Sequence, residues 1–256
     1  MDFIVAATEL NLIGKLIYNV LYQWVATWGT GFSWIGAFGI TVILFTFMLK
    51  IVTSPFDVWQ KALTRKNAKI MEVMKPELDK ITKQCGDNRE LLMQKQREVY
   101  KKYNYSMFST CLPTILTLAI FILVFSGFNS AVRHHNSLVF ENLKDVYEQT
   151  YDAEYLILED SDLSVLEKRT QATQKAEEAV LESYKPEGIL LTTNIFMPDT
   201  WSNPIPTAED YSGSGIGKLN IKTDATQYEK VMSPIINKYN PGKWNGYLLF
   251  PLLAFI

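Results

Sequence analysis

The sequence predicts an all-α polytopic membrane protein, and three observations carry that prediction. Residues 16–49 run for 34 positions without a charge, and residues 103–132 for another 30. Between them, residues 57–102 hold 12 Lys/Arg against 7 Asp/Glu in a helical rather than alternating pattern. A helix rises about 1.5 Å per residue, so about 20 mostly apolar residues cross about 30 Å of hydrocarbon. Both uncharged runs pass that test. The overall hydrophobic content of 48% is close to that of soluble proteins, so the distribution is the diagnostic feature and the composition is not.

Residues 1–33 come first. Within "NLIGKLIYNVLYQWVATW" (residues 11–28), Asn11, Lys15, Asn19 and Gln23 recur every fourth position as a polar stripe. Ile13, Ile17, Val20 and Trp24 make an apolar face, which suits an amphipathic helix in the membrane interface rather than the start of a span. Gly29, Gly31 and Ser33 then end the pattern. Asp2 in place of a basic start, and no small-residue cleavage site after a short apolar core, predict that this is not a cleaved signal.

The first transmembrane helix is expected at 34–56 and a helical hairpin at 57–105. Met71, Met74, Leu78 and Ile81 follow 3-4-3 spacing. Leu92, Val99 and Tyr103 continue after the turn-forming "CGDN" at 85–88. The second transmembrane helix is expected at 106–128. A long acidic insert follows at 129–243, with 11 Lys/Arg against 18 Asp/Glu and two further helices. Ser164 and Glu167 have the spacing of a capping box ahead of the second. "NIFMPDTWSNPIP" and residues 212–217 read as loop. "WNGYLLFPLLAFI" at 244–256 reads as the start of a third transmembrane helix. Basic residues near both span ends (Lys61, Arg65, Lys66, Lys101, Lys102) put the hairpin in the cytoplasm, and the N-terminus and 129–243 outside.

No catalytic or metal-binding constellation stands out, so no enzyme, cofactor, metal or small-molecule substrate is expected. His134 and His135 are adjacent, cannot share a helix face, and are expected at a surface or interface. Cys85 and Cys111 do not make a disulfide framework and are expected reduced. Lys50 is the unexplained feature. An ionisable residue at the centre of a span costs about 2.5–3.5 kcal/mol, and it marks a functional position by default. Six residues, about 9 Å, separate it from the span's cytoplasmic end. Position alone therefore leaves open a buried functional charge or a lysine that snorkels to the headgroups.

The residues around Lys50 extend into a longer pattern. "LKIVTSP" at 49–55, a basic helix, "MEVMKPELDKI" at 71–81 and "REVYKKYNYSMFSTCLPTILTLAIFILVF" at 97–125 resemble the YidC/Oxa/Alb family of membrane protein insertases. Pro55 stands five residues after a basic one. Pro76-Glu77-Leu78, Tyr100–Tyr103 and Cys111-Leu112-Pro113 then follow in the family's order and spacing. "IFMPDTWSNPIP" and "WNGYLLFPLLAFI" resemble its later loop and next core span. The resemblance covers 34–128 and, more weakly, 194–256. It identifies the chain as a divergent bacterial-type member, and against the family's five spans either a C-terminally truncated copy or a fragment is expected.

The resemblance implies a multi-pass protein of the bacterial plasma membrane that eases nascent membrane proteins into the bilayer through a hydrophilic groove. Lys50 would stand where the family usually carries arginine, keeping the charge without the guanidinium fork. Ser109, Thr110, Thr114 and Thr117 are candidate groove lining. Met107, Phe108, Leu112, Ile115, Leu116, Phe121 and Phe125 are a candidate hydrophobic slide. Helix–helix hydrogen bonding and lipid packing account for such residues equally well. Lys61, Arg65, Lys66 and Lys69 form a basic hairpin face for anionic headgroups or the ribosome, or simply a solvated face. The expected partners are nascent membrane proteins and the lipid bilayer, with the ribosome and the Sec translocon as further candidates. The alternatives are an assembly scaffold without insertion activity, or a transporter or channel component using Lys50 as an anion ligand.

Overall fold

The structure, a computed structural model, describes residues 9–27, 35–86, 88–105, 107–215 and 218–255, with backbone alone at 107–110. The described residues are helical apart from loops and two isolated bridges, Ile35–Ile189 and Ile189–Thr192. Two compact units divide the chain. One comprises residues 1–45 and 126–256, the other residues 46–125. Two long helices dominate, α3 (Ala37–Cys85, 49 residues) and α5 (Met107–Ile157, 51 residues). Each contains an apolar stretch long enough to cross a membrane. Neither breaks at the expected span ends near 56 and 128, and α3 passes through Pro55 and Pro76 as α5 does through Pro113. An interior proline removes one backbone hydrogen bond and bends a helix without having to end it.

In the 46–125 unit, α3 ends at Cys85 and α4 (Arg89–Lys102) begins at once. Gly86 turns the chain at φ +51, a conformation that favours glycine, and Asn88 caps α4 by accepting from the Leu91 N–H at 3.2 Å. Asp87, the other expected turn residue, lies outside the described residues. The 3-4-3 stripe faces inward, with Met74 and Val99 buried and Met71, Leu78, Ile81 and Leu92 half-buried.

In the other unit, α1 (Leu12–Lys15), a π-helical stretch (Leu16–Tyr22) and α2 (Gln23–Thr27) form one short rod on α5. Asn11 accepts from the Gly14 N–H at 2.8 Å, and its own N–H donates to Ser130 Oγ at 3.1 Å. The approach is close because Gly127 has no side chain, and a Cβ there would overlap Ile13. The packed face is Gly14, Ile17, Tyr18 and Val25, while Leu12, Leu16, Val20 and Trp24 form an exposed apolar stripe. The expected face of Ile13, Ile17, Val20 and Trp24 is therefore split. The π-helical stretch advances less angle per residue than an α-helix, so positions before and after it fall out of α-helical register.

His135 is buried, contrary to the expectation for it. Its ring packs against Tyr22, Phe38 and Phe196 at centroid distances of 5.1–5.3 Å. Burial, helped by neighbouring His134, pushes its pKa down to about 4, so it is neutral at pH 7. Glu187, whose Oε1 lies 3.8 Å from His135 Nε2, is raised by the same burial.

The segment 129–243 holds the rest of α5, α6 (Val165–Ser183), and two further helices, α7 (Ala208–Ser212) and α8 (Ala225–Tyr239). Ser164 and Glu167 form the capping box their spacing suggests. Buried Ala172, Ala176 and Val180 give α6 a small-residue face, and Phe140, Tyr211 and Tyr228 cluster at 4.6–5.4 Å between ring centroids.

Three asparagines hold the irregular chain at 187–206. Asn245 is fully buried. Its Oδ1 accepts from the Asn194 N–H at 2.8 Å, and its Nδ2 donates to the carbonyls of Asn194, Met197 and Pro198 at 2.8–3.0 Å. Asn194 Nδ2 donates to the Pro204 carbonyl, and Asn240 exchanges two bonds with the Ile205 backbone. Asp199 accepts from the N–H groups of Leu248 and Phe250 at 3.1 and 2.7 Å, and so caps α9 (Leu249–Phe255).

Candidate functional site

The candidate site lies within the 46–125 unit and follows from one spacing on α3. Thr46, Lys50, Thr53, Asp57, Gln60, Thr64 and Asn67 alternate at intervals of four and three, and Met71, Met74, Leu78, Ile81 and Cys85 continue the same seam. An alternating 4-3 repeat keeps a row of side chains on one helix face. The row is polar in its first half and apolar in its second. The apolar half closes the hairpin. The polar half lines two adjoining clefts.

The first cleft, of about 710 Å³, is lined on α3 by Thr46, Leu49, Lys50, Thr53, Phe56 and Asp57, and on α5 by Thr117, Ile120, Phe121 and Val124. The second, of about 870 Å³, is lined by Lys50, Asp57, Gln60, Lys61, Thr64 and Arg65. Lys50 and Asp57 belong to both. Lys50 Nζ donates to Asp57 Oδ2 at 2.7 Å, and 73% of the lysine side chain remains exposed. Thr117 Oγ1 donates to the Pro113 carbonyl at 2.8 Å and lies 3.4 Å from Gln60 Oε1.

Of the residues expected to form the groove, the structure brings together Lys50 and Thr117, with Phe121 from the expected slide. Thr114 is exposed and is not among the residues lining either cleft. The side chains of Met107, Phe108, Ser109 and Thr110 lie outside the described residues. Leu112, Ile115, Leu116, Phe121 and Phe125 are exposed, and Phe121 stacks on Phe125 at 5.9 Å. Lys61 and Arg65 line the second cleft, and Lys66 and Lys69 are exposed without lining it. Cys85 is buried, Cys111 is exposed, and neither forms a disulfide. Thr46, Thr53, Asp57 and Gln60 emerge only with the structure, although their 4-3 spacing from Lys50 is written in the sequence.

The two hairpin motifs meet. Glu77 of "PEL" receives both Lys102 Nζ (2.8 and 2.9 Å) and Tyr103 OH (2.9 Å) of "YKKY". The Lys102 ammonium, then the Tyr103 hydroxyl, hold the Glu77 carboxyl below its ordinary 4.5. A carboxyl lowered on folding contributes stability above that ordinary value and loses it as pH falls through the lower, folded value. The clasp should thus be intact at neutral pH and open only in acid below 4.5. Glu77→Gln should loosen it at pH 7. Spin labels at Lys75 and Lys101 check this: the distance distribution should broaden for the variant at pH 7, and for the parent protein only in acid.

Comparison with known proteins gives a consistent answer. The family model described as 60Kd inner membrane protein matches residues 30–197, 168 of the 256. The membrane protein insertase YidC of Fusobacterium nucleatum is 31% identical over 117 residues, covering 45% of this chain and 55% of that protein. The YidC of Clostridium tetani is 32% identical over 94 residues, with 37% and 41% covered. That of Bacteroides fragilis is 33% identical over 149 residues, with 56% and 22% covered. The chain thus spans about half the length, or less, of these relatives. No solved structure matches it significantly. With a family model covering most of its length and both hairpin motifs joined through Glu77, the chain belongs to the YidC/Oxa/Alb family, the family of the 60Kd inner membrane protein.

Proposed function

We propose that this chain is the groove-forming part of a membrane protein insertase, working by solvation rather than covalent chemistry. The observation that carries the proposal is the polar half of the α3 seam, which continues from the apolar stretch into the hairpin and lines two joined clefts around Lys50. Moving a polar flank across hydrocarbon leaves its backbone and charges without hydrogen-bond partners, and that desolvation is the main barrier to insertion. A row of hydroxyl, amide and charged groups shortens the dry path. The flank passes along Thr46, Lys50, Thr53, Asp57, Gln60 and Thr117. The apolar segment moves against the exposed side chains of Leu112, Ile115, Leu116, Phe121 and Phe125 and partitions into lipid. The relatives named membrane protein insertase support the reading.

In this proposal the hairpin is cytoplasmic, because residues 57–102 carry a net charge of +5 (12 minus 7) close to both spans. The N-terminal segment and the acidic insert lie outside, with the stripe of Leu12, Leu16, Val20 and Trp24 facing the interface. The protein resides in the bacterial plasma membrane. Its partners are nascent membrane proteins and lipid, with the ribosome and the Sec translocon as further candidates. The test is insertion of a short single-span substrate into vesicles holding the purified full-length protein, read by protease protection. Protection above that in empty vesicles is the expected result, and protection equal to theirs overturns the reading.

A further inference from the structure

We propose that Asp57 is a built-in counter-ion of Lys50, a latch that an acidic group on the incoming chain displaces, so that Asp57 sets how readily acidic flanks enter the groove. The inference rests on the insertase reading of the clefts and adds a regulation to them. Lys50 and Asp57 are seven residues apart, two turns on one helix face, and their charged atoms meet at 2.7 Å. The bond occupies the ammonium with the same chemical group that an Asp or Glu side chain of a substrate would present.

Three features make the pair a latch rather than a fixed strut. Most of the Lys50 side chain is exposed, so a second carboxylate can reach it while the first is in place. An exposed ion pair is weak in water, and it matters far more when the alternative is a bare ammonium against lipid. Lastly, Asp57 has somewhere to go. Lys61, one turn further along α3, lines the same cleft, and Arg65 lies one turn beyond it. An acidic residue four positions before a lysine is the favoured order for a helical ion pair. Asp57 therefore has two arrangements, on Lys50 or on Lys61, and a substrate carboxylate that binds Lys50 selects the second. With three cations (Lys50, Lys61, Arg65) and one carboxylate lining it, this cleft carries +2, and one incoming carboxylate leaves +1.

The test uses the full-length protein in vesicles and two single-span substrates, one with two aspartates in its translocated tail and one with asparagines there. Asp57→Asn should raise the initial insertion rate of the acidic tail about two- to fivefold, the range that follows from losing a competitor of exposed-pair strength. The asparagine tail has no carboxylate to compete with Asp57, so its rate should change by less and the acidic-to-asparagine rate ratio should rise. Asp57→Glu keeps the carboxylate, and its acidic-to-asparagine rate ratio should stay with the parent's, which guards against a general effect of altering the position. If Asp57→Asn leaves the acidic tail unchanged or slows it while Lys50→Leu still impairs insertion, the latch is overturned and the insertase reading stands. If Asp57→Asn speeds both tails equally, the latch is also overturned, because its release is then not selective. If neither Asp57→Asn nor Lys50→Leu has any effect on either tail, the latch and the charge-lined groove fall together.

Discussion

Lys50→Leu should lower insertion of a short, acidic-tailed single-span substrate about tenfold, and Lys50→Arg should stay within about twofold of the parent protein. The estimate comes from the hydrogen bond lost. A bond to a charged group contributes about 1.5–3 kcal/mol, and about 1.4 kcal/mol is a factor of ten in rate. Leucine also takes away the ammonium that Asp57 meets at 2.7 Å. Arginine keeps the positive charge and adds a planar fork of donors. The measurement is the protease-protected fraction over time in reconstituted vesicles. Equal rates for the parent and Lys50→Leu would contradict a role for the charge and leave Lys50 as a snorkelling end-residue.

The second large effect is on stability. Asn245→Ala should destabilise the unit formed by residues 1–45 and 126–256 by about 3 kcal/mol or more. The substitution removes four side-chain hydrogen bonds from a fully buried position. It leaves the Asn194 N–H and three carbonyls to find new partners, and a buried polar group left unpaired costs about 1–3 kcal/mol. For a unit of this size that corresponds to a fall in thermal midpoint of about 6–12 °C. Asn245→Asp should be nearly as harmful, because a carboxylate accepts where the Asn194, Met197 and Pro198 carbonyls need a donor. Thermal unfolding in detergent, followed at Trp201 and Trp244, checks both. A midpoint within about 2 °C of the parent for Asn245→Ala would contradict the network's role.

These two positions also mark what the sequence makes legible. The spans, the hairpin and the Ser164 cap rest on local rules: run length, periodicity, and a side chain three residues from the N–H it caps. The Asn245 network is non-local. Its partners lie 47–51 residues away, and an asparagine beside a glycine and a tryptophan reads as ordinary loop. The same is true of Asp199, which caps a helix that starts 50 residues later. The burial of His135 depends on aromatic side chains from three separate stretches of chain, and no single window contains them.

The polar seam of α3 is a different case. Thr46, Thr53, Asp57 and Gln60 share a 4-3 repeat with Lys50, and that repeat is visible in the sequence itself. Heptad spacing is habitually sought in apolar residues, and here its polar half falls partly inside an uncharged run that reads as a simple span. The π-helical stretch at 16–22 is the reverse. Nothing in its residues announces the wider turn, and a face drawn at α-helical intervals comes out split.

The central claim is that the polar face of α3 is the path a substrate's polar flank follows, and photo-crosslinking tests it most directly. A photoreactive residue is placed at Thr53 or Gln60 on the seam, or at Val52 or Val58, which are exposed apolar positions off it. Each variant is challenged with a ribosome-stalled single-span substrate whose polar flank is radiolabelled. Adducts from 53 and 60, with only background from 52 and 58, are the predicted result. Equal yields at all four positions, or adducts from 52 and 58 alone, would contradict it.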